Sequence, residues 1–336
     1  MIRKEIKRIS LLTQIEHATK TKLTDFMIYE SDKSLDPVLS ILTTSYGLPD
    51  KQIVKINKLL KSAIKTLNST KFIKEVNMVE KKSINRKQIT LTYKPDNISI
   101  IVNKEAYSRI KRQCIDKSFN NILTLDELLW ILYFRYTRLH LYNNSQGAVH
   151  PKYYKILSTK YKTETEGFGS FFNHTLKYYY GLFPDLEKYF GCLGNFFTST
   201  LTKPFYVVNP PFTIPQMNLT IDHMIDQLQR NKNLTILFVI PAWVYEDRVK
   251  LSKKCKRYIK LEKYDDTVNI DKLHTSGFVK QYLLYCQENF LYYDYLKEQD
   301  VKFAPTNIIL LSNTKKHYNM ESIFGKSNLL YKEYDK

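Results

Sequence analysis

The sequence is short of several things, and each shortage excludes a class of protein. It holds four cysteines, Cys114, Cys192, Cys255 and Cys286, with no pair at metal-ligand or redox spacing. They read as reduced thiols of an intracellular protein. Its seven histidines form no metal-ligand pattern either, so no metal is expected. The longest apolar runs are strand-sized, too short to cross a bilayer, and the basic N-terminus leads into no signal-peptide core. No membrane partner is therefore expected. Glycine is sparse, nine in 336 residues, and forms neither a phosphate loop nor a dinucleotide fingerprint. There is no internal repeat and no low-complexity segment. Acidic residues are outnumbered, 33 against 52 basic, for a net charge of +19. That excess favours a polyanionic partner, most often nucleic acid. General solubility through exposed lysines is the other reading, and composition leaves the choice open.

What is present argues for a packed core. Hydrophobic residues make up 43% and charged residues 25%, a balance of folded rather than disordered chains. The length suits one large domain or two ordinary ones. Residues 1–80 read as helices with charged faces; from Asp50 to Ser69, Ile53, Ile56 and Leu60 recur at helical spacing. Lys81 to Lys87 reads as a solvated basic linker that could touch phosphates. Apolar residues on either side of Lys94-Pro-Asp-Asn97 predict a β-hairpin, and a basic helix from Lys104 to Lys117 follows. Thr124-Leu-Asp-Glu127 is a capping box, opening a helix that runs to about Tyr142. The main boundary is placed after it. Residues 1–145 then form a mostly helical domain with a β-hairpin, and residues 146–336 an α/β domain.

In the second domain strands alternate with helices, which predicts crossovers on a parallel or mixed sheet. A short strand is expected over Thr163 to Phe168, a helix from Asn173 to about Tyr180, and strands at 204–209 and 234–240. Later strands are expected at Tyr258–Tyr264, Val279–Cys286 and Thr306–Leu311. Ligands of such sheets bind beyond the carboxyl ends of the strands. Three ends would converge there: Glu166-Gly-Phe-Gly-Ser170, Asn209-Pro-Pro-Phe212 and Pro241-Ala-Trp243. A turn of small residues at Gly167 and Gly169 lets a ligand approach the backbone, although a purely structural turn would read the same.

The second of these ends carries the sharpest chemistry. Proline cannot donate to a sheet ladder and forces the residue before it out of the helical region. Pro210 and Pro211 therefore end the strand firmly. Asn209 offers a side-chain carbonyl, Pro210 a backbone carbonyl without a local partner, and Phe212 a flat face. Two acceptors and a ring are the parts needed to grip the amino group of a planar base. An edge-strand terminus followed by a loop is the plainer account. Lys250 to Arg257, with Lys253, Lys254, Lys256 and Arg257, reads equally as a phosphate-tracking edge or a solvated loop.

These stretches together resemble the phosphorylated-CTD-interacting-factor family, the cap-specific adenosine N6-methyltransferases of mRNA. The resemblance runs from about Leu128 to Asn313, through Phe134-Arg-Tyr136, Gly147-Ala-Val-His150, Glu166 to Asn173, Phe183-Pro-Asp185 and Tyr189-Phe-Gly191. It continues with Asn209-Pro-Pro-Phe212, Phe238 to Trp243, His274-Thr-Ser-Gly277 and Thr306 to Asn313. It implies an α/β fold: a Rossmann-like S-adenosylmethionine-dependent methyltransferase core with a mostly helical N-terminal domain. It implies methyl transfer to N6 of adenosine at the capped 5′ end of mRNA. Asn209, Pro210, Pro211 and Phe212 would be catalytic. Glu166, Gly167, Phe168, Gly169, Ser170, Asn173 and Asn209 would lie against S-adenosylmethionine. Phe212, Trp243 and the basic run 253–257 would face the RNA.

The chain departs from the family in two places. Its two tryptophans, Trp130 and Trp243, are far apart, so the WW module of eukaryotic members is not expected, and the lysine- and asparagine-rich chain suggests a viral or otherwise divergent member. Asn195, Phe196, Phe197 and Thr198 stand where an acidic residue is expected. An RNA-binding subunit without catalysis, and a DNA adenine methyltransferase, are therefore the alternative readings. A transcription or capping partner is expected in either compartment, the cytoplasm for a viral protein and the nucleus otherwise.

Overall fold

A computed structural model describes residues 2–19, 49–69, 77–138, 146–242, 249–250, 268–327 and 330–331. The chain divides into two units. One comprises Met1–Gln146 with Gly181–Asn195, the other Gly147–Tyr180 with Phe196–Lys336. A single boundary at 145/146 leaves out the excursion 181–195, which folds with the first unit.

Among the described residues, the first unit has four main helices, Ile2–Thr19, Asp50–Ser69, Lys104–Gln113 and Leu125–Arg138. Beside them lies an antiparallel sheet of β1 (Val79–Ser83), β2 (Gln88–Tyr93) and β3 (Ile98–Asn103). The predicted hairpin is β2–β3, turned through Asn97 at φ 50°. The stretch read as a linker begins as strand: Lys81 and Lys82 sit in β1, paired with Leu91 and Thr90. Alternation directs Ile89, Leu91, Tyr93 and Val102 inward. Trp130 stacks on Phe134 with ring centroids 4.7 Å apart and donates its indole N–H to the Ile98 carbonyl at 3.1 Å. The capping box is formed as expected. Thr124 N donates to Glu127 Oε2 at 2.7 Å, and Glu127 N to Thr124 Oγ1 at 3.2 Å.

The second unit supplies β4 (Gly147–Val149), β5 (Thr165–Glu166), β6 (Tyr178–Tyr179), β7 (Phe205–Val208), β8 (Thr235–Pro241) and β9 (Val249–Lys250). Then follow β10 (Val279–Tyr285), β11 (Tyr292–Asp294), β12 (Gln299–Val301), β13 (Thr306–Ser312) and β14 (Leu330–Tyr331). Its main sheet has the order β10-β13-β8-β7-β5-β6. From β6 to β8 the strands are parallel; β13 runs antiparallel between β8 and β10. Every residue of β7, β8 and β13 is buried. Strands covered on both faces lose the polar alternation of half-exposed ones. On one face Val207, Leu237, Val239 and Ile308 pack with Tyr153, Tyr154 and Leu157 of the helix Pro151–Tyr161. On the other, Tyr206, Val208, Ile236 and Phe238 pack with Met217, Ile221, Met224 and Leu228 of the helix Ile214–Arg230. This is a mixed α/β architecture.

Two expectations are revised, and one element is new. The helix read over Asn173 to Tyr180 is a turn leading into β6. The amides of Thr175 and Leu176 donate to Glu166 Oε1 at 2.5 and 2.6 Å, and Tyr178 and Tyr179 pair with β5. Those side-chain and sheet partners outcompete a helical ladder. Cys114 and Cys192 are free, but Cys286 is disulfide-bonded, against the reading of four reduced thiols. The helix Pro151–Tyr161 was not anticipated; Pro151 opens it and the His150 ring accepts from Lys152 N at 3.0 Å. The strand expected at Tyr258–Tyr264 lies outside the described residues. Among the described residues, no helix is long and apolar enough to cross a membrane.

Candidate functional site

The strand order places a reversal in the parallel part of the second unit. After β5 the chain goes to β6 on one side, then returns to form β7 on the other. At such a reversal the loops diverge and leave a crevice beyond the carboxyl ends. Here the two ends are those of β5 and β7, in register as Glu166 against Val207. The structure thus brings together the glycine turn and the Asn-Pro-Pro-Phe run.

At the end of β5, Gly167 N donates to Val207 O at 2.7 Å. A Cβ on Gly167 would stand 2.8 Å from Val208 Cγ2 and 3.1 Å from Phe196 Cε2. One on Gly169 would stand 3.0 Å from Tyr179 Cβ. A side chain at Gly167 would force Val208 to shift, and one at Gly169 would need Tyr179 to give by a few tenths of an ångström. Phe168 is half-buried against Phe196 and Phe197, with centroids 4.8 and 5.5 Å away. Ser170 and Asn173 are occupied with each other: Asn173 Oδ1 accepts from Ser170 N at 2.8 Å and lies 3.0 Å from Ser170 Oγ.

Glu166 is fully buried. Its Oε1 accepts two backbone amides, whereas Oε2 makes no hydrogen bond. Burial pushes its pKa up to about 7, against those amides and the Tyr154 hydroxyl, which favour the carboxylate. Oε2 is itself shut off from solvent, so a ligand at this turn would meet its backbone and the half-buried Phe168 rather than this carboxyl.

At the end of β7, Asn209 is half-buried, Pro210 buried, and Pro211 exposed. Asn209 Nδ2 donates to Val239 O of the neighbouring β8 at 2.8 Å. A carbonyl can only accept, so this bond fixes the amide orientation and leaves Oδ1 free to accept from elsewhere. Among the described residues neither Oδ1 nor the Pro210 carbonyl receives a hydrogen bond. Phe212 is half-buried, edge-on to Tyr292 at 6.0 Å and tilted 42° from Phe303 at 5.7 Å.

The third end, Pro241, closes β8 opposite Thr306. Trp243, Lys253, Lys254, Lys256 and Arg257 lie outside the described residues. No group of histidine, cysteine, aspartate or glutamate able to hold a metal occurs among the described residues. Phe303 escaped the sequence reading because no motif or spacing marks it. Two histidines in family-like stretches have ordinary partners: His150 Nε2 lies 3.0 Å from Asp300, and His274 stacks on Tyr282 at 5.3 Å.

The family model described as the phosphorylated CTD interacting factor 1 WW domain matches residues 104–271, half of the chain. The chain belongs to that family. The match runs from the helix Lys104–Gln113 through the glycine turn, the Asn-Pro-Pro-Phe run and β8 to the start of the helix Ile270–Thr275. All of the candidate site residues fall within it. Phe303 lies beyond its end.

Proposed function

We propose that the chain is an S-adenosylmethionine-dependent methyltransferase that modifies N6 of adenosine in RNA, next to the mRNA cap. One observation carries this reading: Asn209 is pinned through Nδ2 to Val239 O, and Oδ1 and the Pro210 carbonyl are left as a pair of unused acceptors. An adenine amino group has two hydrogens and needs two acceptors. The sheet supports a Rossmann-like methyltransferase core, since its parallel strands reverse order at β5 and β7, where the glycine turn and the acceptor pair meet.

S-adenosylmethionine supplies an activated methyl on a sulfonium. The residues of the chain orient and align. Accepting both N–H bonds at Asn209 Oδ1 and Pro210 O draws the N6 lone pair out of the ring plane. Phe212 offers a face to the base, steadied by Tyr292. The fixed geometry contributes by proximity. The net charge of +19 suits a phosphate backbone. The family description, a factor that interacts with a phosphorylated CTD, points to a partner in the transcription machinery and so to the cell interior.

The test is incorporation of labelled methyl into capped and uncapped RNA and into duplex DNA. Transfer to RNA that starts with adenosine is expected, with Asn209→Ala reducing it to background. Transfer to DNA alone would favour the DNA enzyme. Tight RNA binding without transfer or cofactor binding would favour a non-catalytic subunit.

A further inference from the structure

Phe303 is the one phenylalanine among the described residues that is exposed; the others are buried or half-buried. It keeps 44% of its surface open. Single exposed apolar side chains are ordinary on a protein surface, so it is the setting of this one that matters. This one is not on a loose tip. On its N-terminal side, Gln287 Nε2 donates to the Lys302 carbonyl at 2.8 Å. On its C-terminal side Ala304 is buried, and its carbonyl accepts from Thr306 Oγ1 at 3.0 Å. One residue further, Ala242 N donates to Pro305 O at 2.7 Å. The backbone is tied down on both sides of an open ring.

Its place in the sheet explains what it faces. β13 is antiparallel to β8, so its first residue, Thr306, pairs with Pro241, the last residue of β8. Residues 303–305 therefore sit at the same edge as the carboxyl ends of the parallel strands. The Phe303 ring lies 5.7 Å from Phe212 and is inclined to it by 42°, with Tyr292 edge-on behind both. Rings at that separation and angle cannot sandwich one base. They present two faces in different planes.

We propose that Phe303 is a second stacking platform, taking the nucleobase adjacent to the adenosine held at Asn209 and Phe212. The proposal rests on the RNA reading above. A base drawn into a site leaves the plane of its neighbour, so the two need faces set at an angle. A rigid phenylalanine provides such a face at little cost in ordering, and stacking on it tolerates any base identity. Lys302, the preceding residue, is exposed as well.

The test uses the full chain and short capped single-stranded RNAs that start with adenosine, intact or made abasic at the cap guanine or at the second nucleotide, read by fluorescence anisotropy without cofactor. The wild type should bind the intact RNA about tenfold more tightly than one of the two abasic RNAs, the range of one stacking contact. Phe303→Ala and Phe303→Leu should lose that preference, and Phe303→Trp should keep it. Melting temperatures should fall only slightly, because nearly half of the ring is open. Phe212→Leu should weaken intact and abasic RNAs alike. Full preference retained in Phe303→Ala overturns the proposal. Equal binding of intact and abasic RNA by the wild type also overturns it, while leaving the RNA reading standing. No RNA binding at all removes both.

Discussion

Arg135 and Asp185 meet through two hydrogen bonds of 2.8 and 3.0 Å. The same guanidinium takes both oxygens of Glu5 at 2.7 Å and lies over the Phe183 ring at 4.7 Å. Burial opposes its charge, but the two carboxylates outweigh burial and hold its pKa above the ordinary value. Tyr136, next in the chain, donates to Glu187 at 2.6 Å. Between β6 and β7 the chain is therefore captured by the first unit, and Gly181 N closes the neck of the excursion on Gly194 O at 3.0 Å.

Replacing Arg135 by methionine keeps much of the volume but leaves buried Glu5 with only the longer contact to Arg8, at 4.0 Å. Breaking a buried pair in this way costs about 3–5 kcal/mol, so the urea midpoint should fall sharply. Asp185→Asn should cost less, because the Asp185 side chain is 40% exposed. Burial works against the Asp185 charge, yet Arg135 and Arg8 hold its pKa below the usual carboxylate range. Its contribution is present above that range and is lost as the pH falls through the lowered value. A midpoint unchanged in Arg135→Met would remove the clamp.

Glu166 should leave a signature of opposite sign. Its pKa rises from 4.5 to about 7, so between those values the folded state binds more protons than the unfolded one. Stability should be full below about pH 4.5 and decline as pH rises through about 7, by up to about 3 kcal/mol at 1.36 per unit. Glu166→Gln cannot ionise and should flatten this decline. Melting curves for both proteins from pH 5 to 8 are the measurement. Parallel slopes would mean that Glu166 does not titrate there.

Gly167→Ala would force a methyl to within 2.8 Å of Val208 Cγ2. Overpacking of this kind costs about 1–3 kcal/mol, and here it would also push apart the ends of β5 and β7. Trimming the obstructing side chain tests the geometry. Val208→Ala alone should destabilise by leaving a cavity, but the double variant should be more stable than the two single costs together allow. Simple additivity would place the strain elsewhere.

Phe212 separates stacking from packing. Phe212→Leu keeps an apolar side chain against Tyr292 but loses the flat face, so turnover at subsaturating RNA should drop by about one to two orders of magnitude. Phe212→Tyr keeps the face and should keep much of the activity. Its half-buried setting predicts only a small change in melting temperature for either. A large loss of stability with normal activity in the folded fraction would make Phe212 a core residue.

Some features were set by residues acting on near neighbours. Pro210 and Pro211 end β7 by their own covalent geometry. Thr124 and Glu127 cap each other across three residues. The apolar runs of β8 and β13 can only be buried strands. Other features depended on partners far along the chain, which no local pattern reveals. The segment 173–180 reads as a helix until the Glu166 carboxyl takes the amides of Thr175 and Leu176. The stretch 181–195 reads as part of the second domain until Arg135, fifty residues earlier, holds Asp185. In the same way, Asn209 is named by its motif, but which end of its amide faces outward is decided by the Val239 carbonyl on the next strand. Phe303 is an ordinary apolar residue until antiparallel β13 carries it to the edge where β7 ends. Local sequence determines conformation over a few residues; tertiary pairing determines which distant groups satisfy one another, and the site is made of such pairs.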